Sequence, residues 1–151
     1  IDGTEEYNAY IRYPSVFSTI MENIKKVQEM HSNVDIVVSS VVSSLNVKNI
    51  PALNDYLLER GIKHDFANIL HTPTHQRIEW LPKRVKDQYL ANEFNRPDAE
   101  EKFGDLMALL RKPGNKQFNE WLIARCRSLD KQRGTDFTIL WPEFVEYHSN
   151  G

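Results

Sequence analysis

The sequence predicts an α/β fold: part of a parallel, helix-connected sheet or barrel, followed by a helical extension. Three observations predict it. The segment Ile36-Val37-Val38-Ser39-Ser40-Val41-Val42-Ser43-Ser44-Leu45-Asn46 carries β-branched residues on both faces, the mark of a parallel strand covered on both sides. A short amphipathic helix and a second strand follow it at the spacing of a strand–helix–strand crossover, expected to be right-handed. Beyond residue 80 three helical stretches succeed one another with no strand between them.

Each element has its own signal. Ile1-Asp2-Gly3 reads as the end of a strand turning into a loop. With the helix and strand that follow, it makes a βαβ unit almost lacking its first strand, so the chain is expected to be a C-terminal piece of a longer protein. Ser15 is a suitable N-cap for a helix over about 15–30, where Phe17, Ile20, Met21, Ile24, Val27 and Met30 form one apolar stripe. His31-Ser32-Asn33 breaks that pattern, and the strand at 36–44 follows. Asn46 to Asn49 turns the chain, and Pro51 suits a helix N-terminus. Leu53, Tyr56, Leu57 and Leu58 form the buried side of this helix, and Gly61 is placed to end it in the left-handed conformation. Asp65 to Leu70 reads as the second strand. Helices are expected over about 82–94, 98–111 and 115–132, punctuated by Pro97 and Pro113-Gly114. The tail Phe137 to Tyr147, with Trp141-Pro142-Glu143-Phe144, reads as a short strand or an irregular arm. The division falls into residues 1–80, the sheet or barrel part, and 81–151, a helical cap.

Composition narrows the function classes. A net charge of -2 supplies no field to recruit nucleic acid or an anionic membrane. No apolar run approaches the roughly 20 residues that span a bilayer. One cysteine, Cys126, rules out an internal disulfide and an all-cysteine metal site within the chain, and makes a reducing, cytoplasmic setting the default.

Candidate functional residues gather at the ends of the strands. Arg12 follows the first loop, on the C-terminal mouth of a barrel, where active sites of such folds lie. Its guanidinium there either forks a carboxylate or is solvated. Asp2 either orients a sugar hydroxyl or makes an Asp-Gly turn. Ser43, Ser44 and Asn46 end the strand, where buried polar groups need ligand, water or backbone partners; Asn46 equally suits an Asx turn. Ile69 and Leu70 end the next strand, as core or as cover for a flat ring. His71 and His75 have a metal-like spacing, but that spacing works on a helix and Pro73 opposes one. Cys126 reads as an inert helical thiol, the basic runs at 83–86 and 131–133 as solvated faces, and Trp80, Trp121 and Trp141 as core anchors, with Trp80 alternatively lining a groove.

Several short motifs stand in a telling order. They are Ile1-Asp2-Gly3, then Tyr10-Ile11-Arg12-Tyr13-Pro14-Ser15, Asn23-Ile24, and Val41-Val42-Ser43-Ser44-Leu45-Asn46. Leu53, Gly61, Phe66-Ala67-Asn68-Ile69-Leu70, Leu81-Pro82, Lys86 and Pro142-Glu143-Phe144 continue them. In this order they resemble the radical S-adenosylmethionine enzymes, above all the branch with a twitch or SPASM-type C-terminal extension. The chain lacks that family's Cys-x3-Cys-x2-Cys motif, its Gly-Gly-Glu-Pro-type segment and the serine preceding Ile1. The resemblance implies a partial (β/α) barrel fragment, with S-adenosylmethionine and a [4Fe–4S] cluster in the full-length parent and neither bound to this chain alone. It implies Asp2, Arg12, Ser44, Asn46 and Leu70 as cofactor wall, with Arg12 on the methionine carboxylate, and a peptide or small-molecule substrate. The isolated chain is then expected to be colourless and inactive. The alternative is a non-enzymatic α/β-helical module that binds a protein or peptide.

Overall fold

In a computed structural model of the protein, which describes residues 1–31 and 33–149, the chain is a mostly helical α/β structure. Its described elements are α1 (Glu5–Ile11), α2 (Phe17–Met30), β1 (Val37–Val42), α3 (Ile50–Leu58), β2 (Lys63–Ile69), α4 (Lys83–Ala91), α5 (Ala99–Arg111), α6 (Lys116–Arg133) and α7 (Pro142–Ser149). β1 and β2 pair in parallel, with α3 between them in the chain. The register runs from Val37 opposite Lys63 to Val42 opposite Ile69. Gly61 has a φ of +68° just after α3, and Pro51 sits in its first turn.

Three local expectations change. β1 is not covered on both faces: Val38, Ser40 and Val42 are buried, whereas Val37 and Ser39 are exposed. β-branched residues favour a pleated strand but do not say how many faces are covered, and here the alternation belongs to a sheet with one packed face. Ser15 is not the N-cap of α2, which starts from Val16 with no side-chain cap; the Ser15 hydroxyl instead accepts a hydrogen bond from Asn8 Nδ2 at 3.2 Å. The tail is neither strand nor arm. A 3-10 turn over Phe137–Ile139 leads into α7, with Pro142 at its first position, where a missing N–H costs nothing. One further helix, α1, occupies what read as loop. α2 ends at Met30 as expected, with His31 as its C-cap; Ser32 in the break lies outside the described residues.

Two apolar clusters hold the molecule together. The smaller joins Phe17 of α2 to Val38, Leu53, Leu57 and Ile62, with the Phe17 and Tyr56 rings 5.3 Å apart. The larger fills the space among α1, the end of β1 and α4–α7. Trp141 is fully buried at its centre, edge-on to Tyr7 at 5.5 Å and Tyr10 at 5.1 Å and stacked on Phe144 at 6.2 Å. This core takes Val42, Leu45, Val47 and Ile50 as well as residues beyond 80. Trp121, expected as an anchor, is half exposed at 49%. Gly114 lets the chain pass close over Leu81: a Cβ there would lie 2.3 Å from the Leu81 carbonyl oxygen. Lys86 is wholly buried, and its ammonium donates to the Glu79 carbonyl at 3.0 Å and to the Lys112 carbonyl that ends α5. Burial lowers its pKa. None of the helices among the described residues is long and apolar enough to cross a membrane.

Candidate functional site

The first loop is fixed by two asparagines. Asn8 of α1, fully buried, accepts the Asp2 N–H on Oδ1 at 3.2 Å. Asn49 accepts the Thr4 N–H at 2.7 Å and donates back to the Thr4 hydroxyl at 3.1 Å. Gly3 between them has no room for a side chain, since a Cβ would meet the Tyr7 Cβ at 2.6 Å. The loop is thereby pressed against β1, and α1 carries Arg12 back over it as its C-cap residue.

This places Asp2 and Arg12 together. Arg12 Nε donates to Asp2 Oδ2 at 2.5 Å, while Asp2 Oδ1 accepts the Val41 N–H at 3.0 Å. The carboxylate is buried and the guanidinium is half exposed, at 4% and 53% of their side-chain surface. Asp2 thus satisfies a backbone donor of β1 that a neighbouring strand would otherwise take. The terminal nitrogens of Arg12 have no partner among the described residues, so the outer edge of its fork is open to a second oxyanion.

Asn46 holds the carbonyl of the same residue, Val41. Its Nδ2 donates to the Val41 carbonyl at 2.9 Å and its Oδ1 accepts the Ser43 N–H at 2.7 Å. With zero exposure, it is a side-chain clasp on the end of β1, close to the turn reading of this residue. The Ser43 hydroxyl accepts the Leu45 N–H at 3.2 Å. Ser44 is buried at 1% exposure, its N–H donates to the Gln76 carbonyl at 2.8 Å, and its hydroxyl has no partner among the described residues. Leu70 is half-buried and its N–H extends the ladder to the Val42 carbonyl at 2.8 Å. Asp2, Arg12 and Asn46 are therefore joined through Val41, with Ser44 and Leu70 at the adjoining strand ends.

Ser40 and His64, which the sequence did not single out, lie one layer below. The Ser40 hydroxyl donates to the Ile1 carbonyl at 2.5 Å and lies 2.8 Å from His64 Nε2. With the serine proton given to Ile1, Nε2 carries the imidazole proton and donates to Ser40 Oγ, leaving Nδ1 bare. Nδ1 is buried without a partner among the described residues. Burial pushes the His64 pKa down to about 4. Ser40 has zero exposure and its proton points away from the imidazole, so the pair ties the first loop to the sheet rather than forming a nucleophile and base. An alternating serine inside an apolar strand was the available signal.

A second polar group is buried where α7 docks. Glu143 Oε1 accepts from Lys48 Nζ at 2.7 Å and from the Tyr89 hydroxyl at 2.6 Å, and Lys48 also donates to the Leu140 carbonyl at 2.5 Å. Burial and the neighbouring Glu143 raise the Tyr89 pKa, and burial raises that of Glu93 nearby. Cys126 is buried in the large core, and desolvation holds its thiol up at about 11, which removes thiolate reactivity. His75 lies in a 3-10 turn over Thr74–Gln76 and His71 outside it. No group of three or more His, Cys, Asp and Glu side chains able to hold a metal occurs among the described residues.

No family model, no curated protein and no solved structure matches this chain.

Proposed function

We propose that this chain is the C-terminal portion of a radical S-adenosylmethionine enzyme, in which β1 and β2 continue a parallel (β/α) barrel and α4–α7 form a helical cap. The observation that carries the reading is the Asp2–Arg12 pair clasped to Val41 beside Asn46, at the C-terminal end of a parallel strand. Ligand sites of parallel α/β folds lie outside those strand ends.

The residues present fit the cofactor and not the cluster. S-adenosylmethionine carries an amino-acid carboxylate, and the open edge of the Arg12 fork suits one; the orphaned Ser44 hydroxyl offers a further buried polar contact. When bound, that cofactor supplies a carbon radical after reductive cleavage. In this reading Arg12 holds the carboxylate, Asp2 aims Arg12, and Asn46 stiffens the strand end beneath them. A [4Fe–4S] cluster needs several thiolates. The one thiol here is buried and held protonated, so the reading assigns cluster ligation to other polypeptide. The reading is tested by titrating S-adenosylmethionine into the full-length polypeptide and its Arg12→Ala variant in a calorimeter. Loss of affinity in a folded variant supports it, and equal affinity removes it.

A second reading has its own observation. An apolar groove of about 520 Å³ runs between α1 and the 137–139 turn, lined by Tyr10, Tyr13, Ile139 and Leu140, with Ile139 77% exposed. A non-enzymatic module would use such a groove for a protein or peptide partner. Binding of a partner with no effect of S-adenosylmethionine on stability favours that reading.

A further inference from the structure

A different groove, of about 390 Å³, lies between β2 and the first half of α5. β2 is an edge strand: the described sheet contains β1 and β2 alone, so the outer side of β2 has no strand partner among the described residues. Consecutive residues 64–67 line the groove, so the backbone itself forms one wall. The opposite wall follows from a break in α5, where Phe103 leaves helical geometry with φ -125° and ψ 15°. The buried Phe103 ring lies against the half-buried Phe66, at 5.5 Å between centroids, and Phe66 gives the groove an aromatic floor.

The rim is acidic. Glu100 is spent on Arg111, at 2.9 Å to each oxygen, and Lys102 is spent on Asp98 at 2.8 Å. Asp65, Glu101 and Asp105 remain exposed around the groove, without an ion pair to lysine or arginine among the described residues. The strand gains one extra residue between Asp65 and Asn68 relative to Ser39–Val41, and Asp65 accepts the Ala67 N–H at 3.0 Å. Such a bulge interrupts regular pairing, which resumes at Asn68 opposite Val41. The stretch from Lys63 to Phe66 precedes the interruption and offers an uninterrupted edge about four residues long at roughly 3.3 Å each.

We infer that this groove binds a short, extended, basic peptide segment, which adds to the outer edge of β2 along residues 63–66 and sets its cationic side chains against Asp65, Glu101 and Asp105. Main-chain hydrogen bonds to an open strand edge replace bonds to water, and the pockets beside the edge choose the side chains. An apolar or aromatic residue alternating with the basic ones reaches Phe66 on the floor. The inference stands apart from the cofactor reading, since none of its residues belongs to the Asp2–Arg12 cluster.

The probe is a fluorescein-labelled pentapeptide of alternating arginine and valine, blocked at both ends, added to the complete chain and followed by anisotropy and by backbone amide NMR shifts. The expected result is saturable binding with shifts concentrated at residues 63–67 and 100–106. The Glu101→Gln, Asp105→Asn double variant, altered only at exposed positions, should bind about tenfold more weakly at low salt, the order of two surface charge contacts. Methylating the peptide backbone nitrogens should also abolish binding. Equal affinity for a glutamate–valine peptide, shifts centred on Tyr13 and Ile139 instead, or no binding at millimolar peptide would each overturn the inference.

Discussion

The two apolar clusters of this molecule are built differently. The larger is rich in aromatic rings and draws on α1, β1 and every helix from α4 to α7; the smaller rests on Phe17, Val38, Leu53, Leu57 and Ile62. α2 buries only Phe17 of its apolar stripe, leaving Val27 41% and Met30 74% exposed. Val34 and Val37 are exposed as well. The difference teaches where stability and where adaptability reside. The helical half is a closed core, whereas the sheet has one covered face and, among the described residues, an open edge at β2. The Asp2–Arg12 cluster lies on the seam between them, held by asparagine clasps rather than by apolar burial.

The comparison breaks most easily at Trp141. Replacing it by alanine should cost about 5 kcal/mol, the upper end for removing a large core aromatic. Urea unfolding followed by circular dichroism should show the whole molecule, α2 included, losing its midpoint together. A loss confined to α7 would show that the large core is not one cooperative unit.

Glu143→Leu should come next, at about 3–4 kcal/mol, because it leaves the Lys48 ammonium buried without its counter-charge. Adding Lys48→Met to that variant should recover most of the loss, since replacing both partners by apolar groups removes the unpaired charge. If the double variant is no better than the single one, the pair is not what docks α7.

Phe17→Ala should cost about 3 kcal/mol, the lower end for a phenylalanine. Its signature should be local, with faster amide hydrogen exchange in α2 and unchanged protection in α5 and α6. Equal loosening of α5 would merge the two clusters into one.

How much of this was legible beforehand follows from the range of each signal. Both strands, their parallel order and the helices α2 to α6 follow from local periodicity, and their observed limits lie close to the expected ones. α1 lacked an apolar run, since Glu5-Glu6-Tyr7-Asn8-Ala9-Tyr10 hides its buried side in Asn8 and Tyr10. α7 had a readable signal, Pro142 followed by Glu143 in a first turn, masked by the tryptophan that precedes it. The site was legible in part. Asp2 and Arg12 stand ten residues apart, at the two ends of the short helix α1, so their proximity is local. The Lys48–Glu143–Tyr89 group and the Ser40–His64 contact join residues 24 to 95 apart, which no periodicity reports. Asn46 has the expected place but spends its amide on the backbone of its own strand.

The pH dependence sharpens the view of the seam. The His64 pKa is depressed to about 4 in the folded chain against a usual 6.5. The unfolded chain therefore takes up a proton first as pH falls, and stability is lost between about 6.5 and 4. Urea midpoints measured across that window should decline in the native protein. The His64→Gln variant, which keeps a donor for Ser40, should decline less. Identical slopes would mean that His64 titrates like a solvated histidine and that the loop is not held through it.

The smallest effect on stability is expected at Arg12. Its guanidinium is half exposed, so the Asp2 pair contributes at most about 1 kcal/mol, as partly solvated ion pairs do. Arg12→Ala should move the urea midpoint only slightly, because the half-exposed guanidinium is replaced by water at the Asp2 carboxylate, which keeps its bond from the Val41 N–H. Ligand binding should respond much more. A charge-assisted contact to a carboxylate is worth roughly 1.5–3 kcal/mol, so under the proposed function S-adenosylmethionine affinity of the full-length polypeptide should fall about 10- to 150-fold. Arg12→Lys should recover only part of it, since an ammonium cannot hold both Asp2 and a ligand carboxylate in one planar fork. Calorimetry on the three proteins separates the roles. A large stability loss with unchanged affinity would make Arg12 a strut for the first loop; preserved stability with lost affinity, partly restored by lysine, makes it the group that meets the ligand.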